Sequence, residues 1–169
     1  ELISEVVALA DRHSVYVAVD PKEKHFEYYK NVTIITPNKK EAYGAVGASL
    51  EDESLSPDGV GRQLLERIGC QAVLMTLGEE GMALYEKDGT ITRIPTAAQE
   101  VFEVSGAGDT VIAVFSMALS CGADFADAAI LSNLAAGIVV GKVGTVSVSA
   151  KELLQSLQTT SKTKKQRTV

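Results

Sequence analysis

A chain of 169 residues, 46% of them apolar and 22% charged, can bury one sizeable core. The net charge is −6, and Lys162, Lys164, Lys165 and Arg167 crowd into the last eleven positions, which leaves 12 basic against 22 acidic residues in the body. An acidic body argues against a nucleic-acid partner, and no apolar run approaches the ~20 residues of a membrane span, so no membrane partner is expected either.

The elements follow in chain order. Leu2, Ile3, Val6, Val7, Leu9 and Ala10 have helical spacing from the very start. Val15 to Val19 is a β-branched run ending at Asp20-Pro21, the pattern of a buried parallel strand. Phe26 to Tyr29 reads as a short helical turn and Val32 to Ile35 as the next strand. Asn38 can cap a helix to about Val46, and Pro57-Asp-Gly with Val60, Leu64, Leu65 and Ile68 marks another. Ala72 to Leu77 is a strand. Met82 to Glu86 and Thr90 to Ile94 flank Lys87-Asp88-Gly89, a hairpin signal. A helix runs to about Ser120, a further one from Asp124 to about Gly141, and Ser149-Ala-Lys-Glu152 is a capping box opening the last.

Strands alternating with helices imply an α/β fold, a mostly parallel sheet covered on both faces. Residues 1–158 read as one domain and 159–169 as a basic, disordered tail. With no basic stretch before an apolar one at the start, no leader is expected and the location is cytoplasmic. Cys70 and Cys121 lie far apart in apolar surroundings, which suits buried reduced thiols.

The run Glu103-Val-Ser-Gly-Ala-Gly-Asp-Thr110 passes directly into the apolar stretch Val111 to Leu119. Gly106, Ala107 and Gly108 let the backbone turn sharply, and the free N–H groups of a helix N-terminus form an anion site. Asp109, in the first turn, could take a proton from a hydroxyl while negative charge builds nearby. The plainer reading is a glycine-rich strand-to-helix turn with an ordinary N-terminal Asp. An open parallel sheet binds ligands beyond its carboxyl strand ends, so Asp20, Asn38, Gly78 and Gly106, each after a predicted strand, should gather at one edge.

Asn38-Lys-Lys-Glu41, Thr76-Leu-Gly78-Glu-Glu-Gly81 and the GAGD run, in this order, resemble the C-terminal half of a ribokinase-like (PfkB family) sugar kinase. Asp20-Pro-Lys22, Thr36-Pro-Asn38, Pro95-Thr-Ala-Ala-Gln-Glu100 and Ala135 to Thr145 resemble its heptose-7-phosphate kinase branch, which serves lipopolysaccharide-precursor synthesis. The similarity runs from about Val15 to about Leu154. It implies a three-layer α/β/α Rossmann-like fold, incomplete because the N-terminal half and lid are absent.

The resemblance also implies roles. Asp109 would be the general base toward a sugar hydroxyl, and the N–H groups of Gly106, Ala107 and Gly108 would stabilise the transferring phosphoryl group of ATP. Asn38 and Glu41, on one helical face, would help place Mg2+ through water; a cap followed by a solvated Glu is the alternative. Thr76, Gly78 and Gly81 would form the nucleotide phosphate loop, or simply a glycine turn between strands. Asn133 would lie near the adenine, or be a hydrogen-bonded core Asn, and Gly141 to Thr145 would flank the nucleotide.

Relatives usually carry Asp where Glu103 stands, a position that in some members helps hold a monovalent cation, so that cation is in doubt here. The partners expected are ATP and a sugar phosphate, with a homodimer open to the full-length protein and the fragment inactive alone. Two further readings stay open: a PfkB kinase for another sugar or nucleoside, and a truncated, non-catalytic protein that binds a nucleotide or partner.

Overall fold

Among the described residues five strands form one sheet in the order β1-β2-β3-β4-β5: β1 Ala18–Val19, β2 Ile34–Ile35, β3 Ala72–Thr76, β4 Met82–Glu86 and β5 Ile91–Ile94. The computed structural model describes residues 2–22, 25–52, 54–98 and 100–166, with side chains as far as residue 159. Six α-helices lie among the described residues: α1 Leu2–Arg12, α2 Lys39–Ala45, α3 Pro57–Ile68, α4 Ala107–Ser120, α5 Phe125–Val140 and α6 Ala150–Gln166. Glu1, Gln99 of the Pro95–Glu100 segment, and Arg167 lie outside the described residues.

The sheet is mixed. β1, β2 and β3 run parallel, whereas β3–β4 and β4–β5 are antiparallel. Of four pairings two are parallel, so the sheet is less parallel than strand–helix alternation suggests. The reason is local: the chain leaves β3 through a single turn, Gly78–Glu80, and returns at once as β4. A turn that short cannot make the crossover that a parallel neighbour needs.

Alternation along the strands splits the core into two faces. Ile35, Val73, Met75, Ala83 and Tyr85 pack with α1, α2 and α3 through Val7, Tyr43, Val60, Leu64 and Ile68. Ile34, Ala72, Leu74, Leu84 and Ile94 pack with α4 and α5 through Val111, Phe115, Ala128 and Ala129. The result is a three-layer α/β/α arrangement. Phe115 and Phe125 lock α4 to α5 by near-parallel rings with centroids 6.2 Å apart.

β1 and β2 each keep only two laddered residues of the longer runs expected. Thr33 stands between them, its Oγ1 accepting the Val17 N–H at 2.8 Å. Val15 and Tyr16, just before β1, are exposed, as are Leu2, Val6 and Leu9 of α1. The outer edge of β1 has no strand partner among the described residues.

Cys70 is buried, which pushes its thiol up to about 12, and Cys121 is exposed rather than buried because it caps the C-terminus of α4. The last helix continues to Gln166, into the segment expected to be a disordered tail. Among the described residues no helix is long and apolar enough to cross a membrane.

Candidate active site

The three parallel strands end side by side, and their carboxyl ends deliver side chains to one place. Asp20 follows β1, Thr36 and Asn38 follow β2, and Thr76 closes β3. The Thr76 N–H donates to Pro37 O at 3.0 Å, and Asn38 bridges Thr76 in parallel, which holds the two strand ends together. The start of α4 meets them there. A cleft of about 180 Å³ opens between these segments, lined by Asp20, Lys22, Thr36, Asn38, Glu41, Thr76, Gly106, Gly108, Asp109 and Val111.

The turn into α4 needs a glycine. Gly106 is the N-cap at φ +79°, a left-handed conformation that a β-substituted residue resists. Thr110 N–H and Oγ1 both donate to Gly106 O, at 3.0 and 2.9 Å, which closes the first turn. Asp109 is therefore the third helical residue, exposed and facing the cleft. Ala107 N–H donates to Val104 O at 3.2 Å, so it is already engaged and does not line the cleft. Gly106 and Gly108 have no backbone partner for their N–H groups among the described residues. With the Asp109 N–H, which likewise has no backbone partner among the described residues, they are available donors of an N-terminal anion site.

Asn38 and Glu41 form a reciprocal capping box at the start of α2, and both still line the cleft. The box engages one carboxylate oxygen of Glu41, Oε2. Lys39 reaches from the same turn to Glu80, Nζ to Oε1 at 3.4 Å, tying α2 to the Gly78–Glu80 turn.

Other expected residues lie away from the cleft. Gly78 and Gly81 frame the β3–β4 turn, where Leu77 N–H donates to Gly81 O at 2.8 Å. Gly81 has φ +89°, and a Cβ there would sit 2.1 Å from Ile94 O. Backbone crowding against the end of β5 is thus a sufficient reason for that glycine. Asn133 is buried and donates through Nδ2 to Pro95 O at 2.8 Å, fastening α5 to the segment after β5. Beside that contact lies a second depression, of about 420 Å³, lined by Ala97, Glu100, Leu134, Gly137, Ile138, Gly141 and Ser156.

Asp20 lies at the cleft as its place after a strand implies, and beside it stand two residues outside the sequence-derived set, Thr36 and Lys22. Its ammonium pairs with Asp20 Oδ2 at 2.8 Å. That hydrogen bond and charge raise its pKa above the ordinary lysine value, with smaller contributions from Glu41 and Asp109. A cation thus stands among three carboxylates. The signal available in sequence was the position of Asp20-Pro-Lys22 directly after a parallel strand.

The layering and the glycine turn define a ribokinase-like α/β fold. The crystal structure of ribokinase from Thermotoga maritima superposes with a TM-score of 0.74 and 27% identity, covering 90% of this chain and 52% of that one. This chain belongs to the pfkB family of carbohydrate kinases, whose profile matches residues 1–152. Among curated relatives, Bifunctional protein HldE of Geobacter metallireducens is 47% identical over 156 residues, 92% of this chain and 32% of that protein. Bifunctional protein HldE of Geobacter sulfurreducens is 48% identical over 157 residues, with the same coverage. The chain spans about a third of the length of these relatives.

Proposed function

We propose that this chain forms the nucleotide-binding and catalytic part of an ATP-dependent sugar kinase, with heptose 7-phosphate as acceptor. The observation that carries the reading is the position of Asp109: first turn of α4, beside the free N–H groups of Gly106 and Gly108, in one cleft with Asn38 and Glu41. Phosphoryl transfer asks a protein chiefly for positioning and charge stabilisation, and this arrangement offers both.

In this reading Asp109 accepts the proton of the acceptor hydroxyl, and the N–H groups of Gly106 and Gly108 receive the negative charge that builds on the transferring group. Lys22, released from Asp20, adds a mobile positive charge on the same side. Glu41, with one carboxylate oxygen outside the capping box, and Asn38 suit a magnesium ion held through water. Such an ion keeps most of its water and needs no all-protein cage. When bound it supplies charge neutralisation to the phosphates. The depression lined by Gly137 and Gly141 is roomy enough for the base, with Asn133 fixing its wall through Pro95.

The heptose assignment rests on the Asp20-Pro-Lys22, Thr36-Pro-Asn38 and Ala135–Thr145 segments and on the likeness to HldE. Synthesis of a lipopolysaccharide precursor in the cytoplasm is the role that goes with it. The test is a panel of acceptors given to the full-length protein with Mg-ATP: heptose 7-phosphate, ribose, fructose 6-phosphate and adenosine. Preferential phosphorylation of heptose 7-phosphate is expected. Preference for another acceptor would overturn the substrate, and no transfer to any would overturn the kinase reading.

A further inference from the structure

Glu103 joins two loops that meet at the glycine turn. Its backbone N–H reaches Val140 O at 3.3 Å, next to the Phe102 N–H on the same oxygen at 2.8 Å. Its carboxylate Oε2 accepts the N–H of Gly144 at 3.1 Å. The loop held in this way is fixed at its base, where Lys142 pairs with Glu152 of α6 at 2.6 Å. At its tip Thr145 is close: its Cγ2 lies 3.6 Å from where a Cβ on Gly106 would stand. A displacement of residues 143–145 would therefore be felt at Gly106, whose N–H is one of the free donors there.

A monovalent ion at this junction would need oxygen ligands from the loop to replace its water. Here the loop turns an amide N–H, the positive end of a dipole, toward the carboxylate, and that N–H takes up Oε2, an oxygen a cation would otherwise use. The carboxylate is thus tied to the loop through a shared proton and needs no ion between them. Glu, one methylene longer than Asp, has the reach to make the contact itself.

We propose that Glu103 is a positioning residue that fastens loop 141–145 to the Gly106 turn by a direct hydrogen bond, in place of a monovalent cation. The site then assembles equally well whether or not potassium is present. Only the activity arm of the test rests on the kinase reading; the exchange and melting arms do not.

The test uses the full-length protein, as wild type, Glu103→Gln and Glu103→Ala, in potassium chloride and in tetramethylammonium chloride of equal ionic strength. Gln keeps an acceptor oxygen for Gly144 and serves as the conservative rescue. Hydrogen exchange at the Gly144 amide should be slow in wild type, still protected in Glu103→Gln, and fast in Glu103→Ala. Wild-type melting temperature and phosphorylation rate should be the same in both salts. Glu103→Ala should raise KM for ATP several-fold while lowering kcat less, the split expected when a binding loop loosens and the base stays in place. A wild type stabilised or activated by potassium would overturn the proposal, as would a Gly144 amide equally protected in Glu103→Ala. Fast exchange in Glu103→Ala in a protein that phosphorylates no sugar would leave the clasp standing and remove the kinase reading instead.

Discussion

Asn38 and Glu41 hold each other's backbone: the Glu41 N–H donates to Asn38 Oδ1 and the Asn38 N–H to Glu41 Oε2, both at 2.9 Å. The same two side chains line the cleft that contains Asp109. A pair that serves both the fold and the site can be separated experimentally. Asn38→Ala should cost about 0.5–2 kcal/mol of stability through the lost cap. Glu41→Gln keeps the acceptor and should leave urea denaturation nearly unchanged, yet weaken the dependence of rate on magnesium. A Glu41→Gln enzyme with wild-type magnesium dependence would confine Glu41 to capping.

Gly108 separates shape from function in a different way. It is helical, and a Cβ added there meets nothing within 4 Å. Gly108→Ala should therefore stabilise the fold by up to about 1 kcal/mol, mainly by restricting the unfolded chain. In the proposed reading the same methyl group stands where phosphate approaches the N–H, so ATP affinity should fall. Measured melting and nucleotide affinity should move in opposite directions. Unchanged affinity would show that phosphate does not approach this N–H.

Much of this was legible in the sequence, and the reasons are specific. The Ser149 capping box announces itself by an i, i+3 spacing, and Ser149 Oγ indeed accepts the Glu152 N–H at 3.3 Å, whereas at Asn38 the cap was legible but the return bond from Glu41 was not. Asp88-Gly89 marks the β4–β5 hairpin because its chemistry is local. Pairing direction is not local. Nothing in the periodicity of Ala72–Thr76 says that β4 returns antiparallel beside it. Lys22 was visible only as part of the segment Asp20-Pro-Lys22, and its role was not: only the fold sets it among Asp20, Glu41 and Asp109. Whether Gly81 touches a ligand or a backbone likewise depended on where Ile94 ends.

The core offers a steric test. A Cβ on Gly61 of α3 would lie 2.5 Å from the buried ring of Tyr85 on β4, nearer than real contacts allow. Gly61→Ala should destabilise by about 1–3 kcal/mol, the usual cost of overpacking. Adding Tyr85→Leu should return part of that loss, although it gives up the hydrogen bond from the Tyr85 hydroxyl to Asp58. Urea denaturation of the four proteins in the cycle measures the coupling. Additive losses would mean that the ring is not what Gly61 accommodates.

Acid should loosen the α6 junction. Lys142 and the Ser149 cap hold the Glu152 carboxyl down to about 2, against an ordinary value of 4.5. A depressed folded-state value means that the contribution is complete above the ordinary pKa and lost as pH falls through the folded one. The stability difference between wild type and Glu152→Gln should be constant near neutrality and shrink between about pH 4.5 and about 2. A difference independent of pH across that window would remove the ion pair from the account.

The central claim is that Asp109 is the general base, and Asp109→Asn in the full-length enzyme tests it most directly. Asn keeps the size and suits a helix start, so the fold and the nucleotide affinity should persist, affinity within a few-fold. It cannot accept the hydroxyl proton, and general-base catalysis is worth about 10²–10⁴-fold, so kcat should nearly vanish. Single-turnover phosphorylation of the acceptor, with nucleotide affinity measured on the same preparation, gives both quantities. Retention of more than about a tenth of the wild-type rate, with chemistry limiting, is too small a loss for a general base and would contradict the account.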